Sequence, residues 1–422
     1  MEYGLIGEKL GHSFSKEIHA KIGDYPYELL ELPREKLAAF LSDKQFKAIN
    51  VTIPYKEAAL PYLQAISPEA EKIGAVNLIV NRGGALYGYN TDYYGAKRLL
   101  ERANVQVKGK KALILGSGGT RRTLYAVLSD LGAREILTVS RSAATQNAET
   151  QNAATRFSRI TYEQAKTLHA DAEIIVNATP VGMFPAIDET PLDPDCFPRL
   201  CGVADVIYNP LRTRLIEKAR ARNIPCANGL FMLAAQAVQA SAIMRGVPID
   251  ETLCESVYRE TLSQKRNIVL IGMPTSGKST VGALLGKLTG KPLFDTDALT
   301  EKRLNKSIPE IFAESGEAAF RREESLTVKD VAAKTGCIIA TGGGVVLSPE
   351  NIRLLKKNGK VFFLDRPKEL LTAGGGRPLS ASAGALEQMY AKRLPLYLAA
   401  ADCRIVNDCS PESAARKILQ NV

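Results

Sequence analysis

The chain has 422 residues, more than one hydrophobic core usually organises, so we expect two or three domains. Its hydrophobic (45%) and charged (24%) fractions are those of ordinary globular proteins, and its net charge is +10. Lys and Arg are dispersed, and no basic block is interleaved with aromatic residues. Composition therefore favours small anionic ligands over nucleic acid as partners.

The cysteines and the apolar stretches indicate in which cellular compartment the protein is expected. The seven cysteines are odd in number and form no CxxC pair, which predicts a reducing, cytoplasmic environment without structural zinc. The amino terminus lacks the basic and apolar segments of a secretory signal. The longest uncharged stretch, residues 228–244, contains Gln236 and Gln239, and predicts a buried helix rather than a membrane span. The oligomeric state stays open.

The first 95 residues alternate short apolar runs with helical patterns, which predicts an α/β domain. The predicted strands are YGLIG, YELLEL, AINVTI and AVNLIVN. Four polar motifs accompany them: GEKLGHSFSKEIH from residue 7, NVTIPYK from residue 50, GAVN from residue 74 and GYNTDYYG from residue 88. Taken singly, each has a structural explanation, with Ser13 and Ser15 as helix caps and residues 90–92 as a turn.

A strand, a glycine turn, a helix and a second strand are predicted over residues 108–141, the opening of a Rossmann-type dinucleotide fold. The second strand ends in Ser140 and Arg141, without the Asp or Glu that would hold a free ribose hydroxyl. Because Arg suits a 2′-phosphate, the sequence favours NADP over NAD. The residues that let the backbone approach the pyrophosphate are Gly116, Gly118 and Gly119.

Further elements continue the α/β pattern as far as residue 266. In the apolar helix predicted over residues 228–246, Gln236 is as compatible with a position in the core as with a role in binding a ligand. A stretch rich in Ala, Gln, Asn and Thr, residues 143–155, predicts an exposed helix or loop. The remaining predictions are a strand and loop over 172–185, a strand, turn and helix over 202–223, an apolar helix over 228–246 and a charged helix over 248–266.

Residues 267–288 predict a strand, a turn of small residues and an amphipathic helix, with GMPTSGKS at the turn. Backbone N–H groups of a GxxxxGKS loop point at phosphate oxygens, the helix adds its positive end, the Lys neutralises charge and the hydroxyl reaches magnesium. A chance match is the alternative, which the flanking strand and helix disfavour. The predicted ATP-binding residues are Gly272, Pro274, Thr275, Ser276, Gly277, Lys278, Ser279 and Thr280.

Candidate residues for the phosphoryl acceptor follow this loop. Asp295 and Asp297 stand two apart at a predicted strand end, which places them on the same side of a strand; helix capping is the alternative. A later strand leads into Gly342, Gly343 and Gly344, where no side chain obstructs a ring and backbone N–H groups can serve its hydroxyls.

Taken together, the motifs of residues 1–258 resemble shikimate dehydrogenase. The resemblance implies that Lys56 and Asp92 are the catalytic pair. When a hydride arrives at a carbonyl carbon the oxygen needs a proton, which a Lys beside a carboxylate can deliver and recover. A surface salt bridge is the alternative. The implied substrate ligands are Ser13 and Ser15 for the carboxylate, Thr52, Asn77 and Gln236 for the ring hydroxyls, and Tyr208 of the YNP element.

The same resemblance implies which residues flank the nicotinamide. Two positions depart from the family: Lys16 stands where Pro is usual, and Ser140, Arg141 and Ser142 stand where Asn-Arg-Thr is frequent. The first departure concerns the backbone of a loop, and the second concerns cofactor preference. The implied nicotinamide residues are Asn177, Thr179, Met183 and Gly229.

Residues 267–422 resemble shikimate kinase, a small P-loop kinase of the nucleoside-monophosphate-kinase-like type. The lid departs from the family, because Gly374, Gly375 and Gly376 stand where relatives often carry more length and another basic residue. The resemblance implies Ser279 and Asp295 for magnesium, Asp297 for the accepting hydroxyl, Arg321 and Arg393 for the shikimate carboxylate, Gly342 to Gly344 for the ring, and Arg377 as the lid arginine over the transferring phosphoryl group.

We therefore expect a bifunctional enzyme that reduces 3-dehydroshikimate with NADPH and phosphorylates shikimate with ATP and Mg²⁺. Two alternatives remain: a regulatory protein that senses shikimate or quinate without turnover, and a quinate dehydrogenase that prefers NAD, fused to a small-molecule kinase. The presence of every reacting side chain disfavours the sensor. The expected domains are a substrate-binding domain (1–100, completed by 228–258), an NADP domain (101–227), a linker (259–266) and a kinase domain (267–422).

Overall fold

A computed structural model describes residues 1–11, 13–141, 158–372 and 383–422 of the chain. The described chain divides into two compact units, Met1–Thr261 and Leu262–Val422. Three sequence predictions lie outside the described residues: the exposed stretch 143–155, the glycines of the lid and Arg377.

The first sheet of the unit Met1–Thr261 is mixed, with strand order β2-β1-β3-β5-β6-β4 in the described residues. β5 and β6 form an antiparallel hairpin whose turn contains Gly83 and Gly84, both with positive φ, as a two-residue hairpin turn requires. The strands are β1 Tyr3–Gly7, β2 Glu28–Glu31, β3 Ala48–Val51, β4 Ala65–Ile66, β5 Leu78–Arg82 and β6 Ala85–Tyr89. The helices are α1 Ser15–Ile22, α2 Leu37–Asp43, α3 Tyr55–Ala58, α4 Pro68–Ile73 and α5 Thr91–Arg102.

The second sheet of this unit is parallel, with order β12-β11-β10-β7-β8-β9. Its central strands are buried along their whole length, as parallel strands covered by helices on both faces must be. The strands are β7 Lys111–Leu115, β8 Glu135–Ser140, β9 Arg159–Thr161, β10 Ile174–Asn177, β11 Gly202–Asp205 and β12 Cys226–Ala227. The helices are α6 Thr120–Asp130, α7 Tyr162–Thr167 and α8 Arg214–Ala221.

Two further helices follow the second sheet, α9 (Leu230–Arg245) and α10 (Glu251–Lys265). α9 is buried around most of its circumference and packs on α5. The crossing depends on Gly95, because a Cβ there would lie 2.6 Å from the Met232 carbonyl oxygen. α9 thereby brings its polar residue Gln236 to the helix that begins at Thr91.

The unit Leu262–Val422 is built on a parallel sheet of order β14-β15-β13-β16-β17. Its longest helical stretch is interrupted at Gly316, which has φ 75° and ψ 171°. The strands are β13 Asn267–Ile271, β14 Leu293–Asp295, β15 Ile338–Ala340, β16 Gly359–Asp365 and β17 Cys403–Val406. The helices are α11 Lys278–Thr289, α12 Thr296–Leu304, α13 Ile308–Ala332, α14 Pro349–Asn358, α15 Ala383–Ala400 and α16 Pro411–Leu419.

The predicted fold class is confirmed: a mixed α/β region, a Rossmann-type sheet and a P-loop α/β domain. One local prediction is wrong. Asp295 ends β14 but α12 begins at Thr296, so Asp297 lies in a helical turn and the two carboxylates do not share one side of a strand. No helix within the described ranges is long and apolar enough to span a bilayer.

Candidate active sites

The predicted catalytic pair of the first unit is in contact. Lys56 lies on the short α3 after β3, and Asp92 lies in the first turn of α5 after β6. Lys56 Nζ is 2.5 Å from Asp92 Oδ2, with the side chains 28% and 18% exposed. Because both groups keep contact with solvent, a ligand can approach the ammonium group, and a proton can pass between it and the carboxylate.

A chain of hydrogen bonds joins two predicted substrate ligands from distant parts of the sequence. Asn77 Nδ2 donates to Thr91 Oγ1 at 3.0 Å, and the Thr91 backbone N–H donates to Asn77 Oδ1 at 2.7 Å. Thr91 Oγ1 in turn donates to Gln236 Oε1 at 3.3 Å, across 145 residues of sequence. Thr91 is buried, so it fixes the orientation of both amides.

A second set of buried hydrogen bonds supports these residues. Asn50 Nδ2 donates to the Asn77 backbone oxygen at 3.1 Å, and Asn50 Oδ1 accepts from the Tyr27 hydroxyl at 2.7 Å. These contacts hold the backbone of Asn77, whose side chain is held by Thr91. The NVTIPYK motif therefore contributes an internal support as well as Lys56.

The two serines of the first motif contact each other. Ser13 Oγ donates to Ser15 Oγ at 3.1 Å, and the Ser15 N–H donates to Ser13 Oγ at 3.3 Å. Phe14, rather than either serine, is the N-cap of α1, although Ser13 Oγ accepts the N–H of the first residue of that helix. The Phe14 ring lies 5.3 Å from the Tyr208 ring, which brings this segment to the YNP element. Thr52 follows β3 and is partly exposed.

The residues predicted to bind the dinucleotide meet at the carboxyl end of the second sheet. Gly116 follows β7 with φ 108°, and the backbone at Gly118 and Gly119 faces open space, since an added Cβ would meet no atom within 4 Å. Ser140 ends β8, and Arg141 follows it, exposed. The amino terminus of α6 supplies N–H donors and a partial positive charge, so these residues fit a pyrophosphate and an additional phosphate.

The predicted nicotinamide residues have local partners. The backbone N–H and Oγ1 of Thr179 donate to Asn177 Oδ1 at 3.0 and 2.7 Å. Met183 is apolar yet 44% exposed. Gly229 precedes α9, and a Cβ at this position would overlap the Val206 carbonyl oxygen. Glycine at position 229 therefore permits the close approach of α9 to the end of β11.

The phosphate loop of the second unit lies between β13 and α11. Gly277 is the N-cap of α11 with φ 89°, and Thr275 also has a positive φ of 66°. Lys278 is 8% exposed, and its Nζ donates to the carbonyl oxygens of Gly272 and Met273 at 3.0 and 2.8 Å. The loop therefore holds its own lysine at the start of α11, where the positive end of the helix also favours an anion.

The predicted magnesium ligands are hydrogen-bonded to each other. Ser279 Oγ donates to Asp295 Oδ2 at 2.6 Å. Asp295 Oδ1 accepts the backbone N–H groups of Asp297 and Ala298, so the capping alternative holds for Asp295. Within the described ranges, no cluster of three His, Cys, Asp or Glu residues could hold a metal by itself. A hydroxyl and one carboxylate fit Mg²⁺, which is commonly held by few protein ligands together with water and phosphate oxygens.

A cavity of about 520 Å³ adjoins the phosphate loop. Two arginines line it: Arg321 NH1 donates to Glu324 Oε2 at 2.9 Å, and Arg393 NH1 donates to the Gly343 oxygen at 3.0 Å. Burial raises the pKa of Glu324, with Arg321 opposing the shift. The predicted residues Gly272, Ser276 and Gly342 do not line the cavity. Those that do are Pro274, Thr275, Gly277, Lys278, Ser279, Thr280, Asp295, Asp297, Arg321, Gly343, Gly344 and Arg393.

The three glycines also have a local structural role, and one of them, Gly342, uses its N–H within the protein. The Gly342 N–H donates to Thr296 Oγ1 at 2.9 Å, so it is not available to a ring hydroxyl. A Cβ at Gly342 would overlap the Asp297 carboxylate, and one at Gly344 would overlap the Arg321 guanidinium. The glycines therefore make room for the side chains of the site itself.

Several residues of the two sites escaped sequence reasoning. Thr91 lies inside the GYNTDYYG motif, but nothing in the motif indicates a role for a threonine at this position. In the kinase unit, the apolar residues that line the cavity follow the pattern of an ordinary helix. Glu324 belongs, with Arg321, to the GExxFRxxE motif that resembles the kinase family, and its spacing of three residues from Arg321 also suits their ion pair. The residues concerned are Asn50, Thr91, Asp205, Thr296, Ile308, Pro309, Phe312, Met389 and Tyr397.

The folds and sites define two α/β enzyme units on one chain: a nicotinamide-dependent oxidoreductase with a Lys and Asp pair, followed by a small P-loop kinase. The family model "Shikimate dehydrogenase substrate binding domain" matches residues 5–79, and the model "Shikimate kinase" matches residues 274–422. The NADP⁺-dependent shikimate dehydrogenase of Clostridium beijerinckii is 37% identical over 264 residues, which are 61% of this chain and 96% of that protein.

Solved structures give the same result. A chorismate mutase/shikimate 5-dehydrogenase fusion protein from Clostridium acetobutylicum is 35% identical with a TM-score of 0.56, over 61% of this chain and 96% of that one. Shikimate 5-dehydrogenase of Thermus thermophilus, in complex with NADP(H) and shikimate, is 32% identical with a TM-score of 0.54, over 62% and 99%. The chain belongs to the shikimate dehydrogenase family, and its residues 274–422 form a shikimate kinase domain. Both predicted resemblances are confirmed.

Proposed function

We propose that the protein catalyses two successive reactions: NADPH-dependent reduction of 3-dehydroshikimate to shikimate, and ATP-dependent phosphorylation of shikimate at its 3-hydroxyl. The observation that carries the proposal is the match of one chain to two families that share shikimate as a ligand, one in each unit. We propose the domain division given by the sequence, with residues 1–100 and 228–258 holding the substrate and residues 101–227 the NADP.

In the first site, bound NADPH supplies the hydride for the carbonyl carbon. Lys56 donates the proton that the carbonyl oxygen needs, and Asp92, 2.5 Å from Nζ, orients the ammonium group. Asn77 and Gln236 bind ring hydroxyls, held in place through Thr91. The substrate carboxylate is bound by Ser13 and Ser15, with Thr52 and Tyr208 completing the pocket. This assignment makes proton delivery the task of Lys56 and positioning the task of the amides.

The preference for NADP over NAD follows from the end of β8. Ser140 and Arg141 offer a hydroxyl and a guanidinium where a carboxylate would repel a phosphate. Gly116, Gly118 and Gly119 bind the pyrophosphate. On the nicotinamide side lie Thr179, Met183 and Gly229.

In the second site, bound MgATP supplies the phosphoryl group. Arg321 and Arg393 fork onto the shikimate carboxylate, and Asp297 orients the hydroxyl and accepts its proton. Lys278 neutralises phosphate charge within the loop formed by residues 272–280. Gly343 and Gly344, which line the cavity, receive the ring, and Gly342 supports them through its bond to Thr296. The resemblance to the kinase family assigns the role of lid arginine to Arg377.

We propose that Ser279 and Asp295 hold the Mg²⁺ ion. Their 2.6 Å contact brings a hydroxyl and a carboxylate oxygen to one point beside the phosphate loop. Asp295 also caps α12, so the magnesium ligand is held by a structural bond.

Reciprocal variants of the full-length protein test the two-site assignment. Lys56→Ala should lower NADPH oxidation with 3-dehydroshikimate by roughly 10²- to 10⁴-fold and leave ADP formation with shikimate unchanged. Lys278→Ala should have the converse effect. Comparing shikimate with quinate, and NADPH with NADH, in initial-rate assays then fixes the substrate and the cofactor. A folded single variant that lost both activities would overturn the assignment.

A further inference from the structure

Asp205 is a buried carboxylate of the dehydrogenase unit that the mechanism above does not use. It ends β11 and is fully buried. Its Oδ1 accepts Asn177 Nδ2 and the Ile207 N–H, both at 3.0 Å, and its Oδ2 accepts the Thr213 hydroxyl at 2.6 Å. One side chain therefore joins the ends of two neighbouring strands to the start of α8.

The first of these bonds supports the loop that follows β10. Asn177 uses its Nδ2 on Asp205 and its Oδ1 on Thr179, whose N–H and hydroxyl donate at 3.0 and 2.7 Å. The Val181 N–H then donates to Thr179 Oγ1 at 3.2 Å. The orientation of Asn177, and with it the loop leading to Met183, is thus set by the carboxylate.

The other two bonds support the segment that carries Tyr208. Ile207, whose N–H is bound to Asp205, immediately precedes Tyr208. Thr213, whose hydroxyl is bound to Asp205, caps α8 by accepting the Ile216 N–H. Both ends of the segment 207–213 are therefore attached to the same carboxylate.

This carboxylate has no ion pair within the described part of the chain, and its three partners are uncharged. Burying a charged carboxylate without a neighbouring cation lowers the stability of the folded state. Burial raises the pKa of Asp205 to about 6 in spite of the three hydrogen bonds. A group that is unfavourable for stability, yet bonded both to the loop on the nicotinamide side and to the segment that carries Tyr208, has a role in geometry rather than in holding the core together.

We propose that Asp205 is a positioning residue for the reduced nicotinamide: it fixes the Thr179 to Met183 loop and the Tyr208 segment relative to each other. The inference rests on the proposed dehydrogenase function and deepens it. It differs from the assignment of Thr179, Met183 and Tyr208, because Asp205 acts only through its contacts with other residues and touches no ligand.

The test measures the fluorescence of NADPH bound to the full-length protein. The chain contains no Trp, so tryptophan emission does not overlap with that signal. In Asp205→Ala, NADPH should bind more weakly, and its nicotinamide emission should shift towards that of free NADPH. 2′,5′-ADP, which occupies only the adenosine end, should bind as in the unaltered protein. Hydride transfer should fall on the order of 10²-fold, and kinase turnover should stay unchanged.

Two variants separate this role from a general loss of folding. Asp205→Asn keeps an oxygen for Asn177 and Ile207 and offers its Nδ2 to the Thr213 hydroxyl, so it should restore most of the NADPH emission. Asp171→Ala is the matched control, since that carboxylate is 44% exposed and binds Lys111 away from both loops. Unaltered NADPH emission in Asp205→Ala would overturn the proposal, and so would an equal loss of 2′,5′-ADP binding. If the unaltered protein does not reduce 3-dehydroshikimate, the proposed function fails, while the binding measurements still test Asp205.

Discussion

The two sites each contain a cation beside a carboxylate, and the two pairs differ in a way that matches their chemistry. In the dehydrogenase unit, Lys56 and Asp92 are 28% and 18% exposed. In the kinase unit, Arg321 is 22% exposed and its partner Glu324 only 2%. Solvent therefore reaches both Lys56 and Asp92, whereas in the kinase unit the carboxylate of Glu324 is almost wholly buried behind Arg321.

Under the proposed function, this difference in exposure corresponds to two tasks: Lys56 transfers a proton, and Arg321 only binds the substrate. A lysine can lose a proton under physiological conditions when its surroundings favour it, whereas an arginine stays charged and offers a planar fork to a carboxylate. Reduction of a carbonyl needs a mobile proton, and holding a substrate carboxylate during phosphoryl transfer needs a fixed charge. Exchanging the two cations should therefore damage the two sites in different ways.

The largest effect is expected from Lys56→Arg. The positive charge and the contact with Asp92 remain, but arginine does not release a proton, so turnover in the dehydrogenase reaction should fall roughly 10²-fold or more. Initial rates of NADPH oxidation over a range of substrate concentrations measure the change. A variant that turned over about as fast as the unaltered protein would show that Lys56 acts by charge alone. The kinase rate of the same preparation is the internal control.

A smaller effect is expected from Arg321→Lys in the kinase unit. Charge is kept, but the fork that also bonds Glu324 and Glu317 is lost, so KM for shikimate should rise about tenfold while kcat changes little. Steady-state ADP formation at saturating ATP gives both constants. If kcat fell and KM did not, Arg321 would be acting on the transferring group rather than on the carboxylate.

The smallest effect on activity is expected from Asp205→Asn, which instead changes stability with pH. The folded state raises the pKa of Asp205 from 3.8 to about 6, so it binds the proton more tightly than the unfolded chain does, and stability falls as the pH rises through that window. Removing this titration should therefore raise the stability of the variant, relative to the unaltered protein, by about 2 kcal/mol more at pH 7 than at pH 4. Chemical denaturation at the two pH values measures it, and parallel pH profiles for the two proteins would contradict it.

The kinase site was largely predictable because its chemistry lies in short contiguous motifs. GMPTSGKS carries its own loop geometry, and β13 before it and α11 after it have unambiguous patterns. The same holds for Lys56 within NVTIPYK. Segments of this kind specify local structure by themselves, so each motif could be assigned to a turn or a strand end before its surroundings were known.

What the sequence could not supply are contacts between distant segments and the boundaries of short elements. Thr91 joins Asn77 to Gln236 only because α9 packs on α5 at Gly95. In the sequence, Asp205 is one acidic residue at the end of a predicted strand, and nothing near it predicts its bonds to Asn177 and Thr213. The expected placement of Asp297 failed because α12 starts one residue after Asp295, which no periodicity over so few residues can show.

The central claim is that each unit holds its own shikimate site. Isothermal titration of the full-length protein with shikimate, in the presence of NADPH, which cannot react with shikimate, and a non-hydrolysable ATP analogue with Mg²⁺, tests it most directly. We expect two binding events per chain, of which Arg321→Ala removes one and Lys56→Ala leaves both. A single event that disappears in Arg321→Ala would contradict the account, because the dehydrogenase unit would then bind no shikimate.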